Sequence, residues 1–160
     1  LYKNHDIYFI GRGQDYAAAL EGSLKLKEIS YIHSEAYASG ELKHGPIALI
    51  EDNTLVLGIA TNSATAPKTM SNLEEVIARG ADTILITNQN SKTDELSANK
   101  SITKSDIDKV HYLIEVPEIN TFLSPISTII PMQLFAYYIS KAKKLDVDKP
   151  RNLAKSITVE

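Results

Sequence analysis

The sequence predicts a three-layer α/β sandwich built on a mainly parallel, doubly wound sheet. Apolar runs of strand length alternate with segments of helical composition along the 160 residues. These runs are apolar throughout instead of at every second residue, which is typical of parallel strands covered on both faces. The length suits one domain, and a chain of this size that is 43% hydrophobic can bury a sizeable core.

The first predicted unit is a strand followed by a helix. Residues 6–13 form a short apolar run closed by Gly-Arg-Gly, which indicates a buried strand and a tight turn. Residues 14–32 are rich in Ala, Leu, Lys and Glu, all of which favour helices. Residues 39–50 predict a capped turn of helix that a Gly-Pro pair interrupts.

The rest of the chain continues the alternation. We predict strands at residues 53–61, 82–88 and 109–116, helices at residues 66–81 and 124–145, and a polar loop or ragged helix at residues 89–108. Pro125 suits the first turn of the last helix, whereas Pro131 predicts a kink or a broken start.

Composition excludes several kinds of protein. The formal net charge of −3 argues against a nucleic-acid or anionic-membrane surface, which usually carries a basic excess. The absence of cysteine excludes disulfides and thiolate metal sites. We see no apolar run near the roughly 20 residues of a membrane span, so we expect a cytoplasmic protein. Because the chain starts at Leu1, close to a strand, we also expect it to be a piece of a longer protein.

The Gly11-Arg12-Gly13 turn is a first candidate site. Ligands of open α/β sheets lie beyond the carboxyl ends of the strands, and a glycine loop before a helix can hold an anion. The turn lacks the third glycine of a dinucleotide fingerprint, and the second predicted strand has no acid at its end. A tight strand-to-helix turn is the favoured interpretation.

The first helix carries a charged stripe. Glu21, Lys25 and Glu28 are spaced i, i+4, i+7, so they fall within roughly 60° of arc among mainly apolar neighbours. One interpretation is a solvated face with weak intrahelical ion pairs. The other is a carboxylate base held beside a lysine, with a pKa set by its neighbours and by burial.

Two further residues are candidates for proton transfer or covalent chemistry. His44 precedes Gly-Pro, which should present its imidazole at a turn, where it could transfer protons near neutral pH. Lys155 lies in the mixed segment that ends the chain; a desolvated lysine can form a Schiff base, although a terminal lysine is more often solvated. The four histidines form no His-x-x-x-His pair, so we expect no metal and no cofactor.

Three motifs together resemble a known family. The Leu-Lys-Leu-Lys-Glu-Ile helix, the Glu-Leu-Lys-His-Gly-Pro turn and the Pro-Arg-Asn-Leu-Ala-Lys-Ser segment are similar to the second of two sugar-isomerase (SIS) modules in glucosamine-6-phosphate synthases. Those enzymes are glutamine:fructose-6-phosphate aminotransferases (isomerizing), and the resemblance covers essentially the whole chain. It implies residues 1–145 as the SIS domain and 146–160 as a tail that completes the sugar site.

The resemblance also implies roles for individual residues. Glu28 would be the base that moves a proton between C1 and C2, with Lys25 as its polar companion. His44 would open the sugar ring and would be donated across a dimer interface. Lys155 would form the Schiff base with the open-chain ketose. The implied substrate-binding residues are Glu21, Arg151 and Ala154.

The implied partners are fructose 6-phosphate, glucosamine 6-phosphate, a first SIS module, a glutaminase domain and a second copy of the chain. The family's Ser/Thr-rich phosphate loop belongs to the first module and is missing; Thr61–Pro67 could bind an anion but is no equivalent. We therefore expect this chain alone to be inactive. The alternatives are a non-catalytic sugar-phosphate-binding SIS module and another SIS-family phosphosugar isomerase or deaminase.

Overall fold

The structure is a computed structural model that describes residues 6–88 and 102–151. The strands are β1 (Asp6–Gly11), β2 (His33–Ala38), β3 (Leu55–Ala60), β4 (Asp82–Asn88) and β5 (Tyr112–Val116). The α-helices are α1 (Gln14–Ser30), α2 (Ala66–Ile77), the single-turn α3 (Lys104–Ile107) and α4 (Ser124–Ala142). Short 3₁₀ turns occupy Ser39–His44, Pro46–Leu49 and Thr121–Leu123.

The five described strands form one sheet in the order β2-β1-β3-β4-β5, and every pair is parallel. The chain moves from β1 to β2 in one direction and from β3 to β5 in the other, so the sheet is doubly wound with its switch point between β1 and β3. The predicted fold class is confirmed.

Alternating side chains of the strands divide the core into two layers. Ile7 and Phe9 belong to the layer that packs under α1 and α4, whereas Tyr8 and Ile10 belong to the layer under α2. Leu42 of the 3₁₀ turn Ser39–His44 lies in the second layer. The turn and α1 therefore lie on opposite faces of the sheet.

The prediction of four strands was wrong, because the described residues form five. The strand that was not predicted is β2, whose sequence HSEAYA is polar. Because β2 is an edge strand with one partner, its side chains need not be buried on both faces. The other elements lie where they were predicted and differ by a few residues at their ends, and α4 continues through Pro131. Within the predicted loop at 89–108, the structure describes residues 102–108.

Helix α4 and the turn before it are apolar enough to merit attention. Residues Thr121–Ala142 have a mean hydropathy of 1.3 and the length of a membrane span, a combination that a count of uninterrupted apolar residues overlooked. Core helices of soluble proteins share this length and composition. Here Met132, Ala136 and Ile139 pack into the core beneath α1. Only 28% of the apolar window is buried, so most of the helix surface remains exposed.

Candidate functional site

Internal hydrogen bonds occupy the carboxyl edge of the sheet where β3 ends. Asp15, at the start of α1, is only 2% exposed. Its carboxylate accepts hydrogen bonds from the Thr61 amide at 2.9 Å, the Thr61 hydroxyl at 2.5 Å and the Asn62 amide at 3.3 Å. The following amides of Ala64, Thr65 and Ala66 are bonded to Asn62. Most donors that an anion would use in the Ser/Thr-rich loop are therefore already occupied.

We expect replacement of Asp15 by Ala to destabilise the fold by about 2–4 kcal/mol, because it removes charged hydrogen bonds and leaves buried donors unsatisfied. Urea unfolding measures the change in the free energy of unfolding. Asp108→Ala, at an exposed aspartate beside α3, is the control and should change that free energy by less than about 0.5 kcal/mol. Equal stability of both variants would show that Asp15 does not tie α1 to the loop after β3.

The charged stripe forms as predicted on α1. Lys25 Nζ lies 2.8 Å from Glu28 Oε2 and 3.8 Å from Glu21 Oε1. The side chains of Lys25 and Glu28 are 34% and 32% exposed, so the pair is accessible but partly desolvated. The structure thus brings together three of the seven predicted site residues.

The hydrogen bond to Glu28 raises the pKa of the Lys25 ammonium above its ordinary value. The negative charges of Glu28 and Glu21 add to the increase, and partial burial opposes it. Lys25 therefore remains a cation at neutral pH, and its proton is not available for transfer there. Its chemical contribution is a fixed positive charge beside the Glu28 carboxylate.

The stripe lies far from the Gly-Arg-Gly turn. Helix α1 begins at the carboxyl end of β1 and runs back to the amino end of β2. Glu28 is fourteen residues beyond Gln14, which corresponds to about 21 Å along the helix axis. Glu28 therefore lies near the amino edge of the sheet, on a flank of α1 that is about one-third exposed, and not at the edge where open α/β sheets usually bind ligands.

The segment after α4 runs past the same end of α1. Lys143 Nζ donates a hydrogen bond to the Ser30 carbonyl at 2.7 Å. The Arg151 amide donates to the Tyr31 hydroxyl at 2.9 Å, and the Arg151 guanidinium lies 4.1 Å above the Tyr31 ring. Tyr31 follows α1 directly in a left-handed conformation. Tyr31 is three positions beyond Glu28 in the sequence. Its contacts with the predicted residue Arg151 therefore hold Arg151 at the end of α1 that carries Glu28.

His44 is displayed as predicted but lies elsewhere. It ends the 3₁₀ turn Ser39–His44, and its side chain is 72% exposed. Nδ1 of His44 lies 2.7 Å from Glu41 Oε2. This turn packs on α2, on the other face of the sheet from α1. Within one chain, the elements that carry His44 and Glu28 therefore lie on opposite faces of the sheet.

The remaining two predicted residues, Ala154 and Lys155, lie outside the described residues. Tyr31 and Glu41, which contact Arg151 and His44, were not among the predicted residues, and neither was the buried Asp15 beside the loop after β3. The spacing of Glu41 and His44 was a usable signal, because side chains three positions apart eclipse in a 3₁₀ helix. Among the described residues, no group of three His, Asp or Glu side chains could hold a metal ion.

Comparison with known proteins gives consistent results. The family model for the SIS domain matches residues 1–140. A curated relative from Clostridium perfringens, named glutamine–fructose-6-phosphate aminotransferase [isomerizing], is 53% identical over 97% of this chain. A solved C-terminal domain of glucosamine-fructose-6-phosphate aminotransferase from Francisella tularensis is 40% identical, covers 92% of this chain and superposes with a TM-score of 0.79.

A glucosamine-6-phosphate deaminase structure from Thermotoga maritima is 25% identical over 96% of this chain, with a TM-score of 0.68. This chain covers 40% of that structure, 38% of the Francisella one, and only 24% of the length of the Clostridium relative. The resemblance predicted from the three motifs is confirmed by these relatives.

Proposed function

The chain belongs to the SIS domain family, and from that membership we propose that it is the carboxyl-terminal half of the isomerase part of a glucosamine-6-phosphate synthase. In that role it helps convert fructose 6-phosphate and glutamine-derived ammonia to glucosamine 6-phosphate. The proposed unit consists of an SIS domain over residues 1–145 and a tail over 146–160 that completes the sugar site. The proposal places the protein in the cytoplasm and needs no cofactor.

The main support for the proposal is a shared position: the charged stripe of α1 and the first residues of the tail lie at the same end of α1. The Lys25–Glu28 pair lies near the end of α1, and Arg151 is held by Tyr31 at that same end. Lys155 is four residues beyond Arg151, and an extended chain covers at most about 14 Å in four residues. The Lys155 amine is therefore within reach of a sugar that contacts Glu28.

The residue types suit an aldose–ketose conversion. Lys155 forms a Schiff base with the C2 carbonyl of the open-chain ketose, and ammonia then displaces the lysine to give a fructosimine. The positive nitrogen makes the proton at C1 more acidic. Glu28 accepts that proton and returns it to C2, because one carboxylate can serve two adjacent carbons. Lys25 places a positive charge 2.8 Å from the Glu28 carboxylate that accepts the proton.

His44 acts in the site of a neighbouring copy. Its distance from α1, across the sheet, supports a homodimer in which each copy lends this imidazole to the other. Arg151, Ala154 and Glu21 line the sugar pocket in the proposal. The phosphate is held by a first SIS module in the proposal, because most backbone amides of the loop Thr61–Pro67 already donate hydrogen bonds to acceptors within this chain.

An exposed apolar surface on α4 supports an interaction between this chain and a partner. On α4, Ile126, Ile130 and Leu134 are 60%, 53% and 49% exposed and lie on one stripe. They border a groove of about 420 Å³ with Ile114 and Ile119 of the β5 region. A surface of this kind marks an interaction site. In the proposal this surface is buried against a partner, either the second copy of the chain or the first SIS module.

The test is an assay of two proteins, this 160-residue chain and its full-length parent. With fructose 6-phosphate and glutamine, the parent should form glucosamine 6-phosphate and the isolated chain should form none. Activity of the isolated chain at the parent's rate would contradict a shared site. Conversion of fructose 6-phosphate to another hexose phosphate by the parent, when glutamine and ammonia are both left out, is a different result. That result would favour the alternative, another SIS-family phosphosugar isomerase.

A further inference from the structure

The turn that carries His44 is fixed to the domain although its tip is exposed. Leu42, two residues before His44, is 1% exposed and lies in the core layer beneath α2. Lys43 Nζ pairs with Glu75 Oε1 of α2 at 2.7 Å. The residues before His44 therefore hold the backbone of the turn on two sides.

A glycine lies on each side of the segment Glu41–His44. A Cβ on Gly40 would lie 2.7 Å from Arg12 Nη2, so the guanidinium lies flush against the backbone of the turn. The same Nη2 donates a hydrogen bond to Asn72 Oδ1 of α2 at 3.1 Å. Gly45 has φ 144°, a conformation that side chains disfavour, and it ends the turn directly after His44. The imidazole is thus presented on a turn whose Leu42 is buried and whose Lys43 and Gly40 contact Glu75 and Arg12.

Glu41 lies on the same edge of this turn as His44. The turn is a 3₁₀ helix, in which side chains three positions apart stand one above the other. Glu41 Oε2 lies 2.7 Å from His44 Nδ1, a distance typical of a charge-assisted hydrogen bond. A carboxylate can only accept, so the hydrogen of neutral His44 is on Nδ1 and Nε2 carries the lone pair.

We propose that Glu41 is a positioning residue for ring opening, because it fixes the tautomer and the orientation of His44 so that unprotonated Nε2 faces the sugar. This inference deepens the proposed function and rests on it. Without Glu41, the imidazole would rotate freely on an exposed turn and would populate both tautomers.

The proposed step balances without another reactant. Nε2 of His44 takes the proton of the anomeric hydroxyl at C2, and the electrons of that O–H bond form the C2 carbonyl. The bond between C2 and O5 breaks, and its electron pair moves to O5. The imidazolium then returns the proton from Nε2 to O5. His44 ends the step neutral, with its hydrogen still on Nδ1 toward Glu41.

The test compares Glu41→Gln with the unchanged full-length parent on two substrates. Fructose 6-phosphate must be opened, whereas 5-deoxyfructose 6-phosphate lacks the hydroxyl that closes the furanose ring and is always open. We expect Glu41→Gln to lower kcat for fructose 6-phosphate by about 10- to 100-fold and to change kcat for the open substrate less than 2-fold. Glu51→Gln, an equal charge change at an exposed position, should leave both rates unchanged.

The two substrates separate positioning from damage. Equal losses on both would assign Glu41 a structural role and overturn the inference, as would an unchanged rate on fructose 6-phosphate. ¹⁵N NMR of the 160-residue chain gives a readout that does not depend on activity. In the unchanged chain, neutral His44 should carry its hydrogen on Nδ1. In Glu41→Gln, neutral His44 should be a mixture of the Nδ1–H and Nε2–H tautomers. A parent that makes no glucosamine 6-phosphate would contradict the proposed function, whereas the NMR result would still decide the tautomer.

Discussion

Replacing Glu28 by Gln in the full-length parent is expected to lower the rate of glucosamine 6-phosphate formation by about 10²–10⁴-fold, the usual contribution of a general base. A carboxamide cannot accept the proton from C1. The side chain keeps nearly the same shape, and Gln can still accept a hydrogen bond from Lys25. The loss should therefore come from the chemistry and not from a disturbed helix.

Glutamine hydrolysis supplies the internal control for this variant. It takes place in a separate domain in the proposal, so ammonia release should remain measurable while the sugar product disappears. Circular dichroism and the unfolding midpoint of the 160-residue chain should match those of the unchanged chain. An undiminished rate of sugar product would remove Glu28 from the role of base.

Replacing Lys155 by Arg should have an effect of comparable size. Arginine keeps the positive charge but cannot lose its proton in a protein, so it forms no Schiff base. We expect the rate of glucosamine 6-phosphate formation to fall by at least about 10²-fold, with the KM for glutamine unchanged. Lys149→Arg, in the same carboxyl-terminal segment, is the matched control and should retain the parent's rate. Equal rates of the two variants would contradict a covalent role for Lys155.

Most of the fold could be predicted from the sequence because the central strands are buried on both faces. β3 is buried over its whole length, and β1 and β4 are buried except at their ends, so their apolar runs are unbroken. β2 was not predicted, because an edge strand with polar side chains has no such apolar run. The burial of Asp15 was also invisible, because its partners Thr61 and Asn62 are 46 and 47 residues away in the sequence.

The candidate site, too, could be predicted from the sequence only in part. Helical periodicity alone predicted that Glu21, Lys25 and Glu28 share a face, and the structure places them there. Their function could not come from periodicity, because a solvated ion pair has the same spacing. The pairing of Tyr31 with Arg151 joins positions 120 residues apart, which no local pattern predicts. The contact of Glu41 with His44 depends on a 3₁₀ turn that was predicted only as a short turn of helix.

The central claim is that the charged stripe of α1 and the carboxyl-terminal tail form one sugar-converting site. The most direct measurement is reduction of the full-length parent with borohydride in the presence of fructose 6-phosphate, followed by mass spectrometry of its peptides. We predict a single hexose phosphate adduct on Lys155, which disappears in Lys155→Arg. An adduct on another lysine, or no adduct while the enzyme turns over, would contradict the claim.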